Sequence, residues 1–185
     1  MSIKIYLAGP EVFLPNAAEV LAAKCELVRA AGFIPLAPGD AQVNPDLPAF
    51  EKGLAINAID EGLMQDADAV IANLTPFRGV SADVGTAYEL GFMAASGKPV
   101  FAYTNDARPY ADRVQAALLV MKLPDGTARD ASGLMVEEFA MADNLMLHGG
   151  THRRGHPVIQ HDGGGRIDDL TGFKRALELA VTALR

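Results

Sequence analysis

With 185 residues, half of them hydrophobic, the chain can bury one substantial core and is expected to form a single domain over residues 1–185. A formal net charge of −7 at pH 7 would be repelled by a nucleic-acid backbone or an anionic membrane, which argues against a nucleic-acid polymer or a membrane as partner and suits a small neutral ligand. The single cysteine, Cys25, excludes an intrachain disulfide or thiolate cluster; without a signal-peptide pattern or a bilayer-length apolar run, a soluble, cytoplasmic protein is expected.

Residues 3–8 read as a first strand ended by Gly9-Pro10, followed by a helix over 16–31 that Gly32 closes. A second strand covers 33–36. After a Pro- and Gly-rich loop, residues 49–65 read as a helix and the short apolar run 69–74 as a buried parallel strand. Residues 75–79 break that strand into a loop, a third helix starts between Ser81 and Asp83 and stops at Gly97, and 100–103 is a fourth strand. Further on, 108–121 and 136–147 read as helices, 157–160 as a short fifth strand and 170–184 as an amphipathic helix. Strands alternating with helices predict an α/β fold: a doubly wound, flavodoxin-like parallel sheet of five strands with helices on both faces and ligands bound beyond the strands' carboxyl ends.

Two carboxylates stand where such a sheet does chemistry. Asp83 and Glu89, six residues apart, follow the third strand at the start of a helix. That spacing advances a helix by about 9 Å and separates the two positions by about 120°, so they bracket one ligand only if Asp83 projects from the cap. The bland alternative is that Asp83 only caps the helix and Glu89 only favours it. Tyr6, in the first strand, would neighbour the third strand and bring a phenol toward Glu89, or else bury its ring as core. Asp68 opens the third strand and reads equally as a turn residue.

Other chemistries lack support. Neither a phosphate loop nor a dinucleotide fingerprint is present, so no nucleotide cofactor is expected. His148, His152, His156 and His161 lie close together in sequence, but in a segment too Gly-rich to hold ligands rigidly; no metal site is expected, and residues 148–166 read as a mobile polar loop. Gly163-Gly164-Gly165 reads as a turn.

Four blocks in order, Tyr6-Leu-Ala-Gly-Pro, Asp68-Ala-Val-Ile-Ala-Asn-Leu-Thr-Pro, Asp83-Val-Gly-Thr-Ala-Tyr-Glu89-Leu-Gly and Asp143-Asn144-Leu-Met-Leu, resemble the nucleoside 2-deoxyribosyltransferase family over roughly residues 1–147. The resemblance implies transfer of 2′-deoxyribose between nucleobases without metal or organic cofactor, on a deoxynucleoside and a free base. It implies Glu89 as a nucleophile forming a covalent sugar ester, with retention at C1′, and Asp68 as the residue that protonates the leaving base. Tyr6 would orient Glu89, Asp83 would bind a sugar hydroxyl, and Asn144 would reach a neighbouring subunit's site, making the protein a homo-oligomer. Phe77 and Arg78 lie where the family's base-binding loop sits, and Gly9 joins the substrate-binding set. The alternative is hydrolysis of deoxynucleosides or their 5′-monophosphates; Asp83 disfavours a phosphate there, while Arg153 and Arg154 would favour one if they fold over the site. A sensor that binds nucleosides without turnover is a third reading, disfavoured by an intact nucleophile and acid.

Overall fold

A computed structural model describes residues 2–39 and 43–185. Five parallel strands form the main sheet: β1 (Lys4–Ala8), β2 (Ile34–Leu36), β3 (Ala69–Asn73), β4 (Val100–Thr104) and β7 (Val158–Gln160), in the order β2-β1-β3-β4-β7. The doubly wound arrangement expected from the alternation is present, and β1 lies directly against β3 with Tyr6 opposite Val70. The period of two along each strand sorts side chains between the faces. Ile5 and Leu7 pack with Ile71, Phe101 and Phe173 beneath α1 (Ala17–Ala30) and α6 (Thr171–Leu184), whereas Tyr6 and Ala8 pack with Val70, Met64, Leu90 and Met93 beneath α2 (Ala49–Asp66) and α3 (Val84–Ala95). Gly32 (φ 85°) and Gly97 (φ 72°) take the left-handed conformation that stops α1 and α3. Among the described residues, no helix is long and apolar enough to cross a membrane.

The chain departs from expectation between β4 and β7. The helix read over 108–121 is only α4 (Tyr110–Ala117); Leu118 turns extended, and Val120–Lys122 (β5) pairs antiparallel with Ala128–Asp130 (β6). The signal was local: Asp125-Gly126 is a hairpin turn pair, Gly126 has φ 86°, and the Asp125 carboxylate accepts from the Thr127 backbone N–H and hydroxyl. The helix read over 136–147 starts only at α5 (Leu145–His152), where the Asn144 side chain accepts from the Met146 N–H. Helix α5 therefore runs into the segment expected to be a mobile loop.

One polar cluster is buried where β1, β3 and β4 end. Glu11, in the 3-10 turn Pro10–Phe13 after β1, accepts at Oε1 from Lys24 Nζ (2.7 Å), Asn73 Nδ2 (2.9 Å) and the Tyr103 hydroxyl (3.0 Å). The Lys24 side chain is fully buried, and its ammonium lies 4.7 Å from the Phe173 ring centroid. Removing one partner of such a pair strands the other charge in the core. Glu11→Ala is therefore expected to lower the unfolding free energy by about 3–5 kcal/mol in urea denaturation; a loss below about 1 kcal/mol, the range of an exposed pair, would show that the cluster is solvated.

Candidate active site

The site grows out of the β1–β3 adjacency. Asp83 caps α3, its Oδ2 accepting from the Thr86 N–H (3.0 Å) and hydroxyl (3.3 Å), while Oδ1 takes part in no hydrogen bond among the described residues. This start sets the phase of the helix so that Glu89, in its second turn, faces the sheet. There the Tyr6 hydroxyl donates to Glu89 Oε1 over 2.6 Å, a short charge-assisted bond. The residue thus combines both readings of its type, a buried ring and a phenol that reaches the carboxylate.

Burial pushes the Glu89 carboxyl from its ordinary 4.5 up to about 7; the Tyr6 bond pulls it down, and the negative fields of Asp60, Asp83 and Glu11 push it up. The Tyr6 hydroxyl is raised by burial and by the facing Glu89 anion, so it stays a donor. Asp60, on α2, lies close enough for its charge to raise both groups, and its own carboxyl is raised by burial.

Asp68 does not join them. It sits before β3, at the end of the sheet where strands begin, and its carboxylate accepts from the Lys4 backbone N–H (2.8 Å), pinning the start of β1. Among the described residues it makes no hydrogen bond to Tyr6 or Glu89, and a proton donor must lie within reach of the proton it moves. The carboxylate whose field reaches Glu89 and Tyr6 is that of Asp60. Its signal was an acidic residue on an apolar stripe: Leu63, Met64 and Ala67 follow at helical spacing and pack toward the core.

Phe77 and Arg78 leave β3 beside the turn that follows β1. Phe77 stacks on Phe13 at 5.0 Å between centroids, and the Arg78 guanidinium lies 4.7 Å from the Phe77 ring and 5.2 Å from the Phe13 ring. Arg78 holds a left-handed φ of 52°, a strained conformation of the sort that collects at ligand sites. Phe13, overlooked in the sequence, is 54% exposed, and the neighbouring strand ends were its signal. Gly9 is required sterically, since a Cβ there would lie 2.0 Å from Glu11 Oε2 and 2.9 Å from Asn73 Cβ.

Asn144 caps α5 and donates to Glu137 (3.2 and 3.3 Å); it forms no hydrogen bond with Tyr6, Asp83 or Glu89. Arg154 is committed to the carbonyls of Gly150 and Ala94, near the far end of α3, so it does not fold over Asp83; Arg153 lines a cleft of about 700 Å³ along α5 with Gly97 and Met146. His148 Nδ1 accepts from the Ala142 N–H and lies within reach of the charge of His152, His156 lies tilted against Phe101 with ring centroids 4.3 Å apart, and His161 meets Asp169 at 3.2 Å.

The nucleoside 2-deoxyribosyltransferase family model matches residues 5–146. The chain belongs to that family. An uncharacterized protein of Schizosaccharomyces pombe is 39% identical over 158 residues, 78% of this chain and 75% of its own. The structure of a 2-deoxyribosyltransferase from Leishmania mexicana superposes with a TM-score of 0.70 at 31% identity, over 98% of each chain. A conserved protein from Enterococcus faecalis shares the fold, with a TM-score of 0.58 at 23% identity over 97% of this chain and 99% of its own. Within this deoxyribosyltransferase fold, Tyr6, Asp60, Asp83 and Glu89 gather on the face covered by α2 and α3.

The raised Glu89 carboxyl has a stability signature. Between about pH 4.5 and 7 the folded state holds a proton that the unfolded chain has released, so the Glu89 contribution falls as pH rises through that window and is level above it. Glu89→Gln is expected to be more stable than the parent protein by about 3 kcal/mol at pH 8, an upper bound set by the shift, with the gain vanishing below about pH 4.5. Thermal melts across pH check this; a gain independent of pH would contradict the buried, raised carboxyl.

Proposed function

We propose that this protein transfers 2′-deoxyribose from one nucleobase to another through a deoxyribosyl ester on Glu89, with retention at C1′. The observation that carries the reading is the 2.6 Å Tyr6–Glu89 bond in a chain of this family. The phenol favours the anion on Glu89 and fixes one carboxylate oxygen, leaving the other to attack. In the first step a Glu89 oxygen forms the bond to C1′ while the C1′–N bond breaks, and the base leaves with a proton from Asp60. In the second, a ring nitrogen of the incoming base attacks C1′, its proton passes to Asp60, and the ester bond returns its electrons to Glu89. Two inversions give net retention.

The other residues take positioning roles. Asp83 Oδ1 is available to a sugar hydroxyl, which holds C1′ against the nucleophile. Phe13 and Phe77 offer ring faces to a base, and Arg78 offers donors to its edge. The negative field around Glu89, from Asp60, Asp83 and Glu11, suits an unphosphorylated sugar. Asn144 would complete a neighbouring copy's site, which makes the working form a homo-oligomer. That reading is supported by apolar side chains left in solvent: Val84 and Tyr88 on α3, Phe50 on α2, and Met146 on α5.

Incubation with a purine or pyrimidine deoxynucleoside and a second free base, followed by chromatography, should yield the new deoxynucleoside. Asp60→Asn is expected to slow exchange by about 100-fold or more, and Asp68→Asn to leave it within about threefold, inside the scatter of a surface change. The opposite ranking would return the acid role to the strand's start. Release of free base without exchange would replace transfer by hydrolysis.

A further inference from the structure

A second buried ion pair lies outside the crevice and bonds to none of the reacting groups. Arg113, on α4, and Asp143, just before α5, meet at 3.1 Å with side chains 2% and 0% exposed. Besides its own bond and one from the Ser81 side chain to Asp143, the pair bonds to backbone segments. Arg113 Nε donates to the Val80 carbonyl (2.8 Å) and Nη1 to the Arg108 carbonyl (2.8 Å). Asp143 Oδ2 accepts from the Ala82 N–H (3.0 Å) and Oδ1 from the Asn144 N–H (2.7 Å). Val80 and Ala82 belong to the loop between β3 and α3, which carries Phe77 and Arg78 at one end and Asp83 at the other; the loop is closed on itself by the Phe77 N–H donating to the Ser81 carbonyl (2.9 Å).

Burying a full ion pair is a costly way to fasten a loop, since well-packed apolar side chains commonly stabilise as much or more. What apolar packing does not supply is direction. A guanidinium with three bonds in one plane, facing a carboxylate that accepts along fixed lone-pair directions, sets the carbonyl of Val80 and the amides of Ala82 and Asn144 relative to one another. The residue after Ala82 is Asp83, so the orientation of that amide passes to the cap of α3 and to the free Asp83 oxygen.

Resting on the proposed function, we infer that Arg113 and Asp143 are positioning residues: they form a rigid strut that aims Asp83 at the sugar of its own crevice. Substrate affinity in this protein then depends on an ion pair that never touches substrate.

The test is a double-mutant cycle on base exchange. Asp143→Asn keeps the shape but sets an amide N–H₂ against one of the backbone N–H donors, and Arg113→Lys keeps the cation while giving up the two carbonyl bonds; thermal melts confirm that each variant is folded at the assay temperature. Each is expected to raise KM for the deoxynucleoside by about tenfold while kcat stays within about threefold, the signature of lost ground-state positioning. Combined with Asp83→Asn, the Asp143→Asn effect is expected to shrink below about twofold, because the group it acts through is gone. A folded Asp143→Asn protein with unchanged KM, or one that loses the same tenfold beside Asp83→Asn, overturns the strut while leaving exchange by the parent protein intact. A parent protein without any exchange is a different outcome: it overturns the proposed function, and the positioning role falls with it.

Discussion

A phenol on the first strand donating to a carboxylate on the third helix is the contact around which the molecule is arranged. It requires β1 and β3 to be neighbours in a parallel sheet, Tyr6 to fall on the face opposite Ile5 and Leu7, and α3 to begin at one particular residue. A start one residue later would rotate Glu89 by about 100° away from the phenol. Asp83 enforces that start through its cap, so one carboxylate fixes the phase of the helix that aims the other. Burial raises the free energy of the Glu89 anion, and the Tyr6 bond returns part of that cost. A carboxylate held so is not fully solvated.

Two buried ion pairs flank the crevice and pull in a common direction. Glu11 with Lys24 fastens the turn after β1, which bears Phe13; Arg113 with Asp143 fastens the loop after β3, which bears Phe77, Arg78 and Asp83. Loops at the carboxyl edge of a sheet are ordinarily its loosest parts. Here each is tied by groups whose hydrogen bonds have direction, at the expense of desolvating four charges. An apolar plug would hold the loops in place without dictating where their amides and carbonyls point, and a sugar bound through one or two hydroxyls is sensitive to that.

The fold was legible where a strand or helix carries its own pattern. The short apolar run at residues 69–74, the Gly stops at 32 and 97, and the capping carboxylate at 83 led to the parallel sheet and to the helix bearing Glu89. The region between β4 and β7 was not, because Leu118 to Lys122 contains good helix formers whose hairpin pairing is decided by the Asp125-Gly126 turn. In the site, Tyr6 and Glu89 could be paired from strand adjacency alone. Asp60 could not, since its nearness to Glu89 arises from α2 lying across the sheet face beside α3, a packing that no residue spacing announces; Asp68, in the more conspicuous position, bonds to the start of β1. Phe13 was missed for a similar reason, its partner Phe77 being distant along the chain.

The central claim is that the Glu89 carboxylate becomes bonded to a sugar carbon. Rapid quenching of the protein with a deoxynucleoside in the absence of an acceptor base, followed by intact-mass and peptide mass spectrometry, tests it most directly. The account expects the mass of one dehydrated deoxyribose unit on the peptide spanning α3, localised to Glu89 and lost when free base is added before the quench. An adduct on any other residue, or turnover with no adduct under conditions where exchange proceeds, would contradict it.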